Sequence, residues 1–424
     1  MSWVSLISFG ICLVIILSMF RRGADPFSPA RVFGFVWSLC IGLADLKLSA
    51  LQHVWNFDSW ALLLTGISAF LVGTFIAYVL YVGRKLVPVP AMRELLKQEQ
   101  VRETRLFWLI CLIVVVYSVA YLLNFWAKGW LPIEAAARYI SRVDFNITGL
   151  TFLIFLVPAI VFFTVLYFLK VQREKPRKLF LAVMLLIVFG SFLLFVSRFQ
   201  IIVVFVLCVT FLYYATSYIR PRTGAILFLV ATSFFYWISS LRSSHLVATF
   251  SYSMSKMKFS KDYALFTEPY MYFVMNLENF ARSVNRLDHH TFGYYTFDFV
   301  TAIAGLKYWV YNYFGMNRHP YLISGYNTYS SFWPLFSDFG VIGLALILWV
   351  LGFGTGLLYY RMRSGPTIRN VTAYGVMVFV MFISFFVFPL SFLWFEFNLL
   401  VIYLFLRWSI IPRKDLAQAL PVPA

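Results

Sequence analysis

The chain has 424 residues, of which 62% are hydrophobic, 21% aromatic and only 12% charged, and its formal net charge is +18. Soluble globular proteins are about 45–50% apolar and about 25% charged, so this chain lacks the polar side chains that would cover a water-exposed surface. The composition excludes a soluble enzyme, a disordered chain, a coiled coil and an outer-membrane barrel. It predicts an all-α fold, a polytopic bundle of membrane helices that satisfy their own backbone polar groups.

Eleven apolar runs are each long enough, at about 20 residues, to cross a hydrocarbon core of about 30 Å. They lie near residues 3–20, 30–48, 60–82, 106–124, 149–169, 179–196, 201–218, 223–240, 338–360, 371–390 and 393–410. Arg21 and Arg22 follow the first run and no basic region precedes it, so we expect a membrane helix with an outer N-terminus rather than a signal peptide. The chain then divides into eight helices over 1–240, a large outer loop over 241–332, and three helices with an inner tail over 333–424.

The distribution of lysine and arginine supports this orientation. Of the 35 basic residues, 22 fall on the predicted inner side, together with only 6 of the 17 acidic residues. The inner side therefore carries +16 of the net charge of +18, in agreement with the positive-inside rule. The basic balance is an orientation signal and gives no support to nucleic-acid binding.

The outer loop contains a segment with the period of one amphipathic helix, from Glu268 to Leu287. Pro269 suits the first turn of this helix and Thr267 suits its cap. One arc is apolar, and the opposite arc carries Asn276, Asn279, Arg282, Ser283 and Arg286. Two alternatives follow: the helix lies on the membrane surface with a solvated basic face, or its Arg and Asn side chains face a cleft and bind an anionic or sugar ligand.

Two arginines lie at the predicted outer ends of membrane helices. Arg198 follows Ser197 between two long apolar runs, and Arg242 lies among serines at the end of the eighth run. An arginine at that depth costs several kcal/mol unless it extends to the interface or is paired. Either each arginine anchors its helix at the membrane boundary, or the two together bind an anion such as a lipid pyrophosphate, which would lie at the same depth.

A third group of polar residues precedes the ninth run. We expect a loop that re-enters the membrane, with Asp338 opening the ninth helix, either as its N-cap or as a base. His319 is either a solvated loop histidine or a proton acceptor. Tyr329 and the other Tyr and Trp side chains nearby suit either a membrane interface or the faces of sugar rings. The group comprises Asn317-Arg318-His319-Pro320, Ser324-Gly325-Tyr326-Asn327-Thr328-Tyr329 and Ser337-Asp338-Phe339-Gly340.

The order of these features resembles the Wzy-type O-antigen and oligosaccharide repeat-unit polymerases. The resemblance covers roughly residues 180–360. It rests on Ser197-Arg198 at the start of an outer-side helix and on Arg242 before the large loop. It rests most on Tyr326-Asn327-Thr328-Tyr329, followed nine residues later by Asp338-Phe339-Gly340 and then by Gly343.

The resemblance implies a multi-pass protein of the bacterial inner membrane with a GT-C-like fold, a periplasmic N-terminus and a cytoplasmic C-terminus. It implies a glycosyltransferase without a metal or other cofactor, which transfers a growing glycan from undecaprenyl pyrophosphate onto a lipid-linked repeat unit at the periplasmic face. Such a polymerase takes part in lipopolysaccharide or other polysaccharide biosynthesis. The expected partners are lipid-linked oligosaccharides, membrane lipids and a chain-length-regulating copolymerase, with no nucleic acid.

Within that reaction the candidate residues take two roles. Guanidinium groups can neutralise a pyrophosphate leaving group without a metal ion. The base that accepts the proton of the attacking hydroxyl is expected to be His319, Asp338 or Glu268, and His319 is preferred because histidine titrates near neutral pH. The candidates for substrate binding are Arg198, Arg242, Arg282, Arg286, Arg318, Asn327 and Tyr329.

Two alternatives remain open at the level of the sequence. The related O-antigen ligases carry a His-Asn pair where this chain has Tyr326-Asn327, and this difference favours the polymerase over the ligase. A lipid-linked oligosaccharide flippase or another transporter would show polar residues within its helices and short outer loops. This chain shows apolar runs and one long outer loop, which favours the polymerase again.

Overall fold

The computed structural model describes residues 2–21, 23–131, 134, 145, 147, 149–195, 197–219, 233, 247–314 and 322–411. Within these ranges every regular element is a helix. The β-structure there is limited to two isolated bridges, one between Ser49 and Met257 and one between Val101 and Ile410. The prediction of an all-α fold is therefore confirmed for this part of the chain.

Nine helices precede the predicted outer loop in the described ranges. They are α1 (Trp3–Met19), α2 (Pro29–Asp45), α3 (Phe57–Tyr81), α4 (Val89–Gln98), α5 (Glu103–Lys128), α6 (Leu150–Ile154), α7 (Val157–Lys170), α8 (Lys175–Leu194) and α9 (Phe199–Ala215). Each coincides with a predicted apolar run except α4, which lies in a predicted inner loop, and α6 and α7 share the fifth run. The eighth run, 223–240, lies outside the described residues apart from residue 233.

The predicted outer loop is itself helical where it is described. It contains α10 (Val247–Met254), a 3₁₀ turn (Lys261–Phe266), α11 (Thr267–Val284), α12 (Asp298–Ile303) and α13 (Lys307–Phe314). The chain continues with α14 (Phe332–Ser364), α15 (Ile368–Ile383), a second 3₁₀ turn (Pro389–Ser391) and α16 (Leu393–Ser409). These last three helices coincide with the ninth, tenth and eleventh apolar runs.

Five helical stretches among the described residues are long and apolar enough to cross a membrane. Helices α1, α9 and α15 are also apolar but shorter. The described part of the chain therefore has the apolar helices of a membrane protein, as the composition predicts. The five long stretches are Phe57–Tyr81, Glu103–Lys128, Leu150–Lys170, Lys175–Leu194 and Phe332–Ser364.

The chain divides into two compact units that do not follow chain order. The first unit consists of Met1–Leu86, His245–Ser364 and Val376–Glu396. The second consists of Val87–Ser244, Gly365–Gly375 and Phe397–Ala424. The described part of the predicted outer loop therefore belongs to the first unit, together with α1, α2 and α3.

Within the first unit, α3 and α14 form the most extensive helix–helix contact, and small residues make it possible. A Cβ atom at Gly352 would lie 2.8 Å from the carbonyl carbon of Phe70, and one at Gly356 would lie 2.6 Å from Cβ of Ala77. Gly73 meets the backbone of α14 in the same way. The two backbones are thus in direct contact, the packing that membrane helices use where the hydrophobic effect does not drive their association.

Helix α14 is broken at Gly340, where φ is +66° and ψ is −162°. Glycine is needed here, because this conformation is strained for residues with a side chain and because a Cβ atom would lie 3.1 Å from Nε2 of His290. The helix begins at Phe332, well before Asp338. The prediction that Asp338 opens the ninth helix is therefore wrong, although the break lies two residues after it.

In the second unit, α7 is the helix with the most buried surface, and it packs against α5, α8 and α9. At the end of α7 the Lys170 ammonium group donates to the backbone carbonyl of Glu99 at 2.8 Å. The Glu99 carboxylate in turn accepts from the backbone N–H of Ile368 at 2.6 Å. These bonds attach the end of α4 and the start of α15 to α7.

Candidate functional site

Helix α11 is the predicted helix of the outer loop, and most of the candidate site is built around it. It spans Thr267–Val284, so it ends three residues before the predicted end at Leu287. Pro269 lies in the first turn as expected. Thr267 is the first helical residue and not the cap, which is Phe266, so that detail of the prediction is wrong. The helix packs against α2, α3, α10 and α14.

Most residues of both predicted arcs of α11 are buried, and the exceptions on the polar arc are Arg282, which is partly buried, and Arg286, which is exposed. Asn276, Asn279 and Ser283 of the polar arc are at most 2% exposed, and Val274 and Leu277 of the apolar arc are fully buried. A helix lying on a membrane surface would leave its polar arc to water. Asn276, Asn279 and Ser283 are instead covered by other segments of the protein, and only the basic residues of the polar arc reach the surface.

A buried carboxylate on α11 is bonded by three residues of the segment between α2 and α3. Glu278 is 2% exposed, and its Oε2 accepts from Trp55 Nε1 at 2.9 Å and lies 3.4 Å from the Lys47 ammonium group. Its Oε1 accepts from the backbone N–H of His53 at 2.8 Å and lies 3.3 Å from His53 Nδ1. We call Glu278, Lys47, His53 and Trp55 the Glu278 cluster. Its donors and its cation compensate a charge that burial would otherwise make costly.

Tyr270 lies two turns before Glu278 on α11. It also binds the segment between α2 and α3. Its phenol donates to Oε1 of Gln52 at 2.7 Å and accepts from the backbone N–H of Leu48 at 3.1 Å. Burial raises the pKa of Tyr270 to about 12, so the hydroxyl keeps its proton at neutral pH and remains a donor. Residues 48–53 are therefore fixed along α11 between Tyr270 and Glu278.

Asn276 and Asn279 of α11 hold the loop that precedes α14. Nδ2 of Asn279 donates to the carbonyl of Thr328 at 2.9 Å, and its Oδ1 accepts from the backbone N–H of Ile323 at 3.0 Å. The Thr328 hydroxyl donates to Oδ1 of Asn276. Nδ2 of Asn276 donates to the carbonyl of Tyr272 on the same helix at 2.6 Å, so the amide groups of both asparagines are occupied within the protein rather than left for a ligand.

Arg282 lies in the last turn of α11, and Arg286 lies two residues beyond its end. Neither side chain is held by hydrogen bonds as the two asparagines are. Arg282 is partly buried and Arg286 is exposed, and neither guanidinium group has a hydrogen bond or an ion pair within the described ranges. Asn285 between them accepts from Nδ2 of Asn56 at 2.6 Å, which attaches this end of α11 to the start of α3. Two guanidinium groups are therefore carried on a fixed helix end with their donors available to an anion.

Asp338 is a fully buried carboxylate that binds the segment after α11. Its Oδ2 accepts from the backbone N–H groups of Tyr295 at 3.1 Å and Thr296 at 2.6 Å, and its Oδ1 accepts from the Thr291 hydroxyl. These donors come from the loop and not from the amides of its own helix, so the alternative that Asp338 is an N-cap is wrong. Because its oxygens are occupied, accepting a proton would break at least one of these hydrogen bonds.

Aromatic rings and buried hydroxyl groups surround the start of α14. Tyr329 stacks on Trp333 with ring centroids 4.9 Å apart, and the Tyr295 ring lies 6.4 Å from the same Trp333 ring. Buried hydroxyl groups in proteins normally have hydrogen-bond partners. Tyr329 and Trp333 are themselves buried, so this stacked pair is part of the protein interior around the start of α14. Among the described residues, the buried hydroxyl groups without a partner here are those of Thr296, Ser330, Ser331 and Ser337.

The other predicted site residues lie in several places. Glu268 is in the first turn of α11, Asn327 is exposed in the loop before α14, and Arg198 precedes α9 in the second unit. The first unit also contains Arg282, Arg286, Tyr329 and Asp338. The remaining candidates lie outside the described residues, and these are Arg242, Arg318 and His319.

Sequence reasoning overlooked Glu278 and assigned no role to His53. Glu278 belongs to neither predicted arc of α11, and it is the one acidic residue between 269 and 287. An isolated acid in the middle of a largely uncharged helix is a usable signal for a buried ion pair. Its partners could not be found from the sequence, because Lys47, His53 and Trp55 lie 223 to 231 residues away.

Comparison of the chain with protein-family models, with curated proteins and with solved structures finds no match in any of the three. Within the described ranges, no group of three or more His, Cys, Asp and Glu side chains is placed to hold a metal ion. The exposed or partly exposed groups that the described site offers to a ligand are the guanidinium groups of Arg282 and Arg286, the side chain of Asn327 and the imidazole of the Glu278 cluster.

Proposed function

We propose that this protein is a repeat-unit polymerase of the O-antigen type. It transfers a growing glycan from undecaprenyl pyrophosphate onto a lipid-linked repeat unit at the periplasmic face of the bacterial inner membrane. The acceptor hydroxyl attacks the anomeric carbon of the donor glycan, the bond to the pyrophosphate breaks, and a new glycosidic bond forms. Neither a nucleotide sugar nor a metal ion is needed, because the donor already carries its leaving group.

The observation that carries this proposal is the pair of arginines at the end of α11. Arg282 and Arg286 have no partner in the described part of the chain, while Tyr270 and Asn279 fix the helix that ends between them. Guanidinium groups held in place before the reaction can stabilise the charge that develops on a departing pyrophosphate without having to reorganise. Their forked donors suit phosphate oxygens better than a lysine would. Arg198, Arg242 and Arg318 stay candidates, from the sequence, for binding an anionic substrate.

The surroundings of α14 support the binding of a glycan. Asn327 is exposed in the loop before α14, and the stacked pair of Tyr329 and Trp333 that follows it in the chain is buried. The loop itself is fixed to α11 by Asn279, so these groups are held in place rather than ordered by the substrate. Positioning two bulky substrates for one reaction is a task for such a fixed surface.

The proposed topology has eleven membrane spans, with the N-terminus in the periplasm and the C-terminus in the cytoplasm. The positive charge on the predicted inner segments supports this orientation. Helix α11 then lies on the outer side of the membrane, where undecaprenyl-linked glycans present their pyrophosphate and sugars. A chain-length-regulating copolymerase is the proposed protein partner.

Purified protein incubated with lipid-linked repeat units tests the proposal. We expect a ladder of glycan products without any nucleotide sugar and in the presence of EDTA. Arg282→Ala and Arg286→Ala should each lower turnover about 10- to 150-fold, since a charge-assisted contact is worth about 1.5–3 kcal/mol. Lysine at either position should restore part of the rate, because an ammonium group cannot form the forked contact. Arg177, which pairs with Glu174 at 3.7 Å on the predicted inner side, is the control, and Arg177→Ala should be as active as the wild type.

Other outcomes of this experiment would contradict the proposal. A strict requirement for a divalent metal or for a nucleotide sugar would exclude a lipid pyrophosphate as the donor. Transfer of the glycan to a lipopolysaccharide core instead of a repeat unit would identify a ligase. Movement of labelled repeat units across liposomes without elongation would identify a flippase.

A further inference from the structure

His53 is an exposed imidazole held by a buried carboxylate. The His53 side chain is 70% exposed, whereas that of Glu278 is 2% exposed. Nδ1 of His53 lies 3.3 Å from Oε1 of Glu278, and the backbone N–H of His53 donates to the same oxygen at 2.8 Å. Because a carboxylate only accepts hydrogen bonds, Nδ1 carries the proton in this contact, and Nε2 is left as a proton acceptor.

The carboxylate is fixed independently of the histidine. Its other oxygen accepts from Nε1 of Trp55 at 2.9 Å and pairs with the Lys47 ammonium group at 3.4 Å. A carboxylate fixed in this way sets the tautomer and orientation of the imidazole and stabilises the cation that forms when the imidazole takes a proton. A histidine that only contributes to the hydrated surface does not need a buried carboxylate to hold its ring.

Arg282 lies on the side of α11 to which the His53 segment is attached. Glu278, Arg282 and Asn285 share one side of the helix, because they are spaced by four and three residues. The segment from His53 to Asn56 follows this side, since His53 bonds to Glu278 and Asn56 bonds to Asn285 at 2.6 Å. Arg282 lies between these two attachment points along the helix. A proton acceptor and a guanidinium group therefore border the same surface of the first unit.

We propose that His53, positioned by Glu278, accepts the proton of the attacking hydroxyl in the polymerase reaction. This inference rests on the proposed function. As the acceptor oxygen bonds to the anomeric carbon, the bond from that carbon to the pyrophosphate oxygen breaks, and its electron pair stays with the pyrophosphate. The hydroxyl proton moves to Nε2 of His53, which later releases it to water. Glu278 is a positioning residue, and Arg282 stabilises the departing pyrophosphate.

Chemical rescue of His53→Ala tests the proposal in the full-length protein with lipid-linked repeat units. We expect kcat to fall about 10²-fold or more with little change in KM, on the usual magnitude for a general base. Added imidazole should restore part of the lost rate, since the exposed side chain leaves a space that solvent can reach. His289, another exposed histidine of the first unit, is the control, and His289→Ala should have wild-type turnover.

The outcomes separate the failure of this inference from the failure of the proposed function. If the wild-type protein makes no polymer from lipid-linked units, the proposed function is wrong. If the wild type is active and His53→Ala turns over within about threefold of it, His53 is not the base. A loss of activity that imidazole does not restore would overturn the inference as well.

A double-mutant cycle tests the positioning role of Glu278. Glu278→Gln keeps the size of the side chain but removes its charge, and kcat should fall about 10-fold or more while KM stays unchanged. In the His53→Ala background the same change should have no further effect on kcat, because no imidazole is left to position. A purely structural glutamate would instead lower kcat by the same factor in both backgrounds, and that result would contradict the assignment.

Discussion

Replacing Gly352 with alanine should weaken the contact between α3 and α14. The new Cβ atom would lie 2.8 Å from the carbonyl carbon of Phe70 and closer still to its oxygen. Non-bonded carbon atoms normally stay about 3.5–4.0 Å apart, so one helix would have to move by about 1 Å. The obstructing atoms belong to a helix backbone and not to a flexible side chain, so the strain cannot be relieved locally. Overpacking of this kind costs about 1–3 kcal/mol.

Gly354 on the same helix is a matched control, since a Cβ atom there would meet nothing within 4 Å. Both substitutions remove a glycine from the interior of α14, which by itself stabilises a helix by about 0.5–1 kcal/mol. This contribution cancels in the comparison, and the remaining difference is the steric cost at Gly352. Gly354→Ala should therefore be at least as stable as the wild type, and Gly352→Ala should be less stable than Gly354→Ala by about 1–3 kcal/mol.

The assay is thermal unfolding of the purified variants in detergent, followed by intrinsic tryptophan fluorescence. The expected order of Tm is Gly352→Ala below the wild type, and the wild type at or slightly below Gly354→Ala. Equal Tm values for the two alanine variants would refute the backbone contact between α3 and α14.

Three further experiments test the site and the topology. Asp338→Asn should lower Tm by the equivalent of about 1.5–3 kcal/mol, because an amide cannot accept all the hydrogen bonds that the carboxylate receives; lost activity at unchanged Tm would instead make Asp338 the base. In a variant without the native cysteines, His289→Cys should react with an impermeant thiol reagent in intact spheroplasts. Gln98→Cys should react only after the membrane is opened. The reverse pattern would overturn the proposed orientation. Arg198→Ala should lower polymer yield about 10- to 150-fold at a normal protein level, with partial recovery in Arg198→Lys; an arginine that only anchors its helix would tolerate lysine.

The positions of most helices could be predicted from the sequence, because long apolar runs are a direct consequence of helices packed in an apolar medium. The end of a helix is harder to predict where a polar residue finds its hydrogen-bond partners in a distant segment. The ninth helix was predicted to open at Asp338, but α14 begins at Phe332. The charge of Asp338 is accommodated inside the helix because Thr291 and the backbone of 295–296 supply its donors.

The burial of α11 could not be predicted from its own pattern. A period of 3.6 residues shows which side chains are polar, but it does not show what covers them. Asn279 is covered by the loop that contains Ile323 and Thr328, and Glu278 is covered by the segment that contains His53. These contacts join residues far apart in the chain, so they appear only in the folded structure.

The small residues of α14 also have a partner that only the folded structure identifies. The pair Gly352 and Gly356, four residues apart, is visible in the sequence as a pattern that favours close helix packing. Nothing in the sequence identifies α3 as the helix that it contacts, or Gly73 as the residue that completes the contact. The sequence therefore indicates that a close contact exists, and the structure identifies the partner.

The direction of chain growth tests the central claim most directly. The purified protein would receive lipid-linked repeat units with a labelled sugar for a short time, followed by an excess of unlabelled units, and the products would be digested stepwise from the end distal to the lipid. If a growing glycan is transferred from undecaprenyl pyrophosphate onto each incoming unit, the label will be at the distal end and the growing chain will release its own lipid carrier at every step. Label that remains next to the lipid, with carrier released from the incoming units, would contradict the account.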